Sequence, residues 1–449
     1  MKNNFTYISM IIICTGLLFQ SCQEFLDDKP SKDIVVPKTT QDIEALLTNY
    51  RRFCVDPLIT FVLGPDYETT TELWEGLDPW QQNAYLWKAD IFGPLESSVD
   101  YGYLYTQVFH ANLSLDLMEE GIDGKAEDIR ELQGLAHFLR AYAHTNLALL
   151  HLPLLGSQLD DGSHEIPFKL VSDISEKAHW AGTDEVYGQI ITDLEAAIAQ
   201  LPTSVSDPIH VNTVAARALL ARVYLLMGNF EGAAAQADLA IANGPELLDY
   251  QELDPEMDYP FELFNRETLY YSKTDGKLDI TSSPSTLIPM ELYGSYTEGD
   301  TRKDLFFSAT DGGRQNFRGS YTGGYTLFTG ISLPEAYLIA AESHIRTGNM
   351  ERGLSVLGQF METRYRENMA PTVDGLNEGE ALGLVLAERK RELVFRGRSW
   401  EDFKRSHRDF GQEAETIRTI GGESYALSSN EDRTIIAIPE IELKLEERP

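Results

Sequence analysis

Apolar residues recur at spacings of three and four from Asp128 to Leu150, which puts Leu132, Leu135, Phe138, Leu139, Tyr142, Ala143 and Leu147 on one stripe. That spacing follows the helical turn of roughly 3.6 residues and predicts a helix with one face in a core. Val186, Tyr187, Ile190, Ile191, Leu194 and Ile198 predict a second helix over about Asp184 to Gln200. Leu201-Pro202 stops it, because a proline ring crowds helical backbone at the residue before it. From Ala215 to Gly244 the run AARALLARVYLLMGNFEGAAAQADLAIANG predicts two alanine-rich helices broken at Gly228-Asn229, where glycine permits a tight turn. The same register returns in YLIAAESHIRTGNMERGLSVLGQFME, from Tyr337 to Glu362. There Ala341, Gly348-Asn349 and Gly353 stand where the first pair has Ala221, Gly228-Asn229 and Ala233. Helix pairs therefore recur out of tandem, and the chain reads as mainly α with insertions.

The earlier pair resembles a tetratricopeptide unit, with Ala221, Tyr224, Gly228, Ala233, Ala240 and Pro245 at the expected spacing. Two regions lack helical regularity and are dense in rings, Asp56 to Tyr105 and Leu247 to Phe328. The first holds Tyr67, Trp74, Trp80, Tyr85, Trp87, Tyr101, Tyr103 and Tyr105, and the second holds Tyr293, Tyr296, Tyr321 and Tyr325. Trp180 falls in an expected loop and Trp400 beside the last long helix. Short strands are expected at Thr268 to Ser272 and Tyr321 to Gly330, where β-branched and aromatic residues meet turn formers.

The start of the chain carries an address rather than structure. Lys2 precedes a mostly apolar stretch, Ile8 to Leu18, too short to span a bilayer, and Phe19-Gln20-Ser21-Cys22 ends it in the manner of a lipobox. Residues 1–21 are thus expected to be a lipoprotein signal peptide, and Cys22 the lipidated residue of a membrane anchor, the competing reading being an ordinary signal peptide with an incidental cysteine. With Cys14 in the leader, only Cys54 of the three cysteines is left for the folded body, so no internal disulfide is expected. The rest of the 449-residue sequence divides into a region of tetratricopeptide-like helices, 22–245, and a C-terminal region, 246–449.

Composition narrows the function by exclusion. Acidic residues number 71 against 37 Lys plus Arg, a formal charge of -34, which opposes binding to nucleic acid. No P-loop, GxSxG, HExxH or CxxC is present, and neither a cofactor nor a metal is expected. His137, His144 and His151 repeat every seven residues, but two helical turns set neighbours about 10 Å apart, too far to share a metal. Glu388 and Glu392 could suggest a carboxylate pair for hydrolysis, yet their spacing is better read as a solvated face or as ion pairs with Arg389 and Arg391. The chain is not expected to be an enzyme.

Several separated motifs then resemble the RagB/SusD family, in the family's order. They are Gly134, Ala136 and Phe138 to Ala141 followed by Pro153-Leu154; Val186-Tyr187, Ile190, Asp193-Leu194, Ala197 and Leu201-Pro202; and Asn212, Ala216, Leu220 to Arg222, Tyr224-Leu225 and Gly228. Gly299-Asp300 with Arg302, the segment ERKRELVFRGRSWEDFKR from Glu388 to Arg405, and Ile436, Ile438-Pro439 and Glu440 complete the set. Departures are Leu135 and Arg396, where the family usually has an acid, and Ser399, where it has arginine, so an ion pair common in relatives is expected to be missing. The resemblance implies a SusD-like fold of tetratricopeptide-like helix pairs with irregular, loop-rich ligand-binding insertions. It also implies a surface lipoprotein facing the cell exterior that captures an oligosaccharide, or in some members a peptide, and hands it to a SusC-like TonB-dependent transporter.

Sugar rings stack C–H patches on aromatic faces and need polar partners for their hydroxyls. On that chemistry the candidate ligand-binding residues are Trp74, Trp80, Trp87, Tyr293 and Tyr296, with Asp66, Arg302 and Arg314 as polar neighbours. The competing expectation is that the rings simply pack as loop core, leaving a structural helical-repeat adaptor of the cell envelope.

Overall fold

The computed structural model describes residues 37–274, 286–411 and 414–445. The leader, Cys22 and the segment after it lie outside the described residues. A capping box opens the first described helix, α1 (Thr40–Leu47): the Thr39 hydroxyl accepts from the Asp42 amide while the Asp42 carboxylate accepts from the Thr39 amide. Short helices follow in the first ring-rich region, among them α2 (Pro79–Tyr85), which starts on a proline whose fixed φ suits the first helical position.

The long helices are α3 (Val99–Glu120), α4 (Ala126–His151), α5 (Thr183–Gln200), α6 (Thr213–Leu226) and α7 (Phe230–Asn243), then α8 (Leu333–Arg346), α9 (Met350–Glu362), α10 (Glu378–Glu392) and α11 (Ser399–Phe410). Each neighbour packs on the next from α3 to α9, and α10 also packs on α8. The α6/α7 pair lies directly against α8, so the scaffold closes over the break although the second ring-rich region intervenes in sequence. Both pairs turn on the same device. Gly228 and Gly348 have φ of 74° and 83°, and the following Asn229 and Asn349 cap the second helix by accepting from the amides of Gly232 and Arg352. Buried Ala215, Ala218, Ala221, Ala233 and Ala237 let the backbones come close. At Gly353 an added Cβ would meet the Ile345 side chain at 2.6 Å and the Ala341 carbonyl at 2.9 Å.

Helix α3 was not foreseen, and it takes Tyr101, Tyr103 and Tyr105 out of the first irregular region. Its inward positions include Asp100, Gln107, Asn112 and Ser114, so the buried stripe is not an apolar one. Gln107 donates to the carbonyls of Arg52 and Val55 at 2.8 and 2.9 Å, which satisfies its burial. The strands among the described residues form five two-stranded sheets. Val55–Asp56 pairs in parallel with Lys273–Thr274, and Thr268–Tyr270 pairs antiparallel with Ile331–Ser332. The second expected strand is therefore displaced, since 321–330 is mainly turn and the strand begins at Ile331. Trp180 likewise sits in a short strand, His179–Ala181, rather than a loop.

Buried ion pairs clamp the helices to one another. Arg140 of α4 reaches Asp193 of α5 at 2.6 Å, Arg222 of α6 reaches Glu335 of α8 at 2.6 Å, and Arg405 of α11 reaches Glu342 of α8 at 2.6 Å. Glu388 and Glu392 correct the solvated reading of their spacing, while the expected ion pair of Glu388 with Arg391 forms. Both are fully buried, Glu388 pairing with Arg302 and Arg391, and Glu392 with Arg302 and Arg364. A helical spacing of charges reads as solvated only when no other segment supplies counter-ions, and here Arg302 and Arg364 do. The Arg396 guanidinium makes no hydrogen bond and instead lies 3.5 Å from the centre of the Tyr321 ring. Cys54 is free and buried, and burial pushes its thiol up to about 12, which leaves it unreactive.

Candidate functional site

One cavity of about 350 Å³ opens between α2, the start of α3 and the strand Val55–Asp56. Trp80 and Phe92 stack at its edge with ring centroids 6.3 Å apart and planes 20° from parallel. Both rings are partly exposed, and Tyr103 from the first turns of α3 adds a third. Helix α2 places Gln81 next to Trp80 inside the lining, only 6% exposed. The Gln81 carboxamide makes no hydrogen bond to another described residue, so two donors and an acceptor are unspent at the cavity wall. Asp78 lies at the rim with an exposed, unpaired carboxylate, and Ser97 contributes an exposed hydroxyl.

Two further carboxylates are built into the floor. Asp100 accepts the Leu58 and Ile59 amides, each at 2.9 Å, and so fixes the chain where it turns past the cavity. Asp56 accepts the Tyr142 hydroxyl, and burial pushes its carboxyl above the ordinary range. Rings with a face open to solvent, beside an amide and a carboxylate in want of partners, suit a ligand with alternating C–H and hydroxyl surface. A larger groove of about 610 Å³ lies where α1 meets the ends of α4 and α5, but no Trp, Tyr or Phe lines it, so it offers no stacking platform.

Of the five rings nominated for ligand binding, Trp80 alone lines this cavity. Trp87 is a correction: it is fully buried, its indole N–H donates to the Leu63 carbonyl at 2.9 Å, and the Arg418 guanidinium covers its ring at 4.3 Å. Tyr296 is another, buried with its hydroxyl on the Arg391 carbonyl at 2.8 Å. Asp66 is buried and accepts the Phe395 amide at 3.1 Å, and Arg302 is fully enclosed by Asp300, Glu388 and Glu392. Each was drawn inward because a neighbouring segment satisfies its polar atoms better than solvent access would. Trp74 is half-buried with its N–H on the Gln82 carbonyl at 3.2 Å. Tyr293 packs edge-on against Phe307 under Lys303, and Arg314 pairs with Glu68 at 2.7 Å, so these two face a different part of the surface network from Trp80. Phe92, Gln81, Asp78 and Ser97 were missed. The only sequence signal for them was their nearness to Trp80 in a loop-rich stretch.

The fold and cavity define a helical-repeat protein with a ring-lined cleft set beside the scaffold. The family model for SusD-like proteins, described as starch-binding and associating with the outer membrane, matches residues 24–225. A SusD superfamily protein from Bacteroides thetaiotaomicron has the same fold with a TM-score of 0.73 at 18% identity, covering 91% of this chain and 98% of its own. Another from Bacteroides fragilis gives 0.74 at 19% identity, with 92% and 99% covered. A SusD-like carbohydrate binding protein from Bacteroides vulgatus gives 0.68 at 16% identity, with 91% and 97% covered. No curated protein matches the sequence. The sequence thus matches the SusD-like family over residues 24–225, and the fold over nearly the whole length is that of SusD superfamily structures.

Proposed function

We propose that this chain is a surface protein of the outer membrane that captures an oligosaccharide on Trp80 and Phe92 and delivers it to a SusC-like TonB-dependent transporter. Acylation at Cys22 would hold it to the membrane, since two acyl chains suffice for stable anchoring. The observation that carries the reading is the open Trp80–Phe92 stack beside the unpartnered Gln81 amide. The family description and the sugar-binding relatives support it. The adaptor alternative needs every ring sealed in the interior, which suits Trp87 and Tyr296 but not Trp80. A hydrolytic role for Glu388 and Glu392 is disfavoured by their arginine partners, which leave neither free to exchange a proton.

Calorimetry with a panel of neutral oligosaccharides and peptides tests the reading. Binding of a glycan that is lost in Trp80→Ala, with the fold intact by circular dichroism, is the expected result. A panel in which only peptides bind would move the function to the peptide alternative. For the anchor and partner, labelling with an alkynyl fatty acid should disappear in Cys22→Ala, and a β-barrel transporter should copurify from detergent-solubilised envelope.

A further inference from the structure

Taking the glycan reading as its base, we propose that the Trp80 cavity selects uncharged sugars and rejects acidic ones such as uronates and sulfated sugars. Every charged side chain in its lining is a carboxylate, Asp56, Asp78 and Asp100, and no Lys, Arg or His is among them. Asp100 is answered by two backbone amides and Asp56 by the Tyr142 hydroxyl, whereas the Asp78 carboxylate has neither ion pair nor hydrogen bond at the rim. An approaching carboxylate or sulfate would therefore meet an uncompensated like charge beside the Trp80 ring, with no cation to offset its lost hydration. Recognition of such groups ordinarily uses the two-pronged donor of arginine. Of the arginines nominated from sequence, Arg302 is fully buried and committed to Asp300, Glu388 and Glu392, Arg314 pairs with Glu68, and neither lines the cavity.

The group the cavity does offer is neutral. Gln81 is more than nine-tenths buried, lines the wall and has no protein partner, so its amide can give and receive hydrogen bonds from sugar hydroxyls without favouring either charge. Beyond the cavity, the formal charge of -34 repels anions before contact, an effect that salt screens.

Acidic oligosaccharides and their carboxyl-reduced counterparts share length, linkage and shape and differ in charge, so titrating both forms isolates the effect. The full mature chain should bind the reduced form at least about tenfold more tightly in low salt, and the gap should narrow in high salt and in Asp78→Asn. Trp80→Ala should abolish binding of the reduced form. Equal or tighter Trp80-dependent binding of the acidic form overturns the selectivity while leaving glycan capture standing. A gap that neither salt nor Asp78→Asn alters also overturns it, since shape would then set the preference. If no form binds in a Trp80-dependent way, the glycan reading of the cavity fails, and this inference with it.

Discussion

The two ring-rich regions, 56–105 and 247–328, both begin as irregular stretches dense in aromatic residues and end differently. In the first, Trp80 and Phe92 stack with faces open to a cavity, and the amide beside them has no protein partner. In the second, Tyr250, Tyr321 and Phe261 pack on one another, Tyr250 and Phe261 also meet Phe306, and Arg302 is sealed among carboxylates. The second region lies between the two helix pairs in sequence, although the pairs themselves pack directly on one another. The difference teaches that a supply of aromatic residues marks where burial is strong, and only the partners available to each ring decide whether it packs or binds.

Removing the charge at the centre of the second region should have the largest effect. Arg302→Met leaves Asp300, Glu388 and Glu392 short of a partner in the interior, and urea unfolding should show a loss of about 3–5 kcal/mol. An unchanged midpoint would mean that the network contributes little and that the contrast between the regions is not energetic.

Acid should loosen the scaffold through groups outside either ring region. Burial depresses His144 to about 3 from an ordinary 6.5, so its contribution is complete above pH 6.5 and is lost as pH falls toward 3. Burial would raise Glu342, but Arg405 and Arg346 outweigh it and hold the carboxyl at about 2, so its contribution is present above 4.5 and lost as pH falls toward 2. Melting temperature should thus decline from pH 6.5 downward, with His144→Phe flattening the upper part of the curve and Glu342→Gln the lower part. Identical curves for the three proteins would rule out this assignment.

A smaller effect, but the one that divides the regions by function, comes from tryptophan substitution. Trp80→Ala should weaken glycan binding by about tenfold or more, as expected of an aromatic anchor. Trp87→Phe should leave affinity alone and cost about 1 kcal/mol for the lost bond to the Leu63 carbonyl, with any loss of indole packing in addition. Titration and thermal melts of both variants check the split, which collapses if Trp87→Phe impairs binding more than Trp80→Ala does. The smallest change is expected at Arg314→Ala, whose partly exposed pair with Glu68 should be worth about 0–1 kcal/mol and should not touch affinity.

Helix placement was legible because burial on one side imposes a period that needs no knowledge of the partner. The stripes at 128–150 and 184–200 and the repeated Gly-Asn turns became α4 to α9 nearly to the residue. Helix α3 escaped because its inward face uses Gln107 and Asn112, whose burial makes sense only once the carbonyls of Arg52, Val55 and Lys169 stand opposite. The candidate site followed the same division. Sequence could nominate Trp80 by chemistry, but Trp87, seven residues on, is equally aromatic and fully buried. What the sequence by itself determined is therefore the local period, the turns and the stock of rings and charges. Tertiary structure alone decided which rings kept a face to solvent and which carboxylates met arginines, because those outcomes depend on atoms brought close from distant parts of the chain.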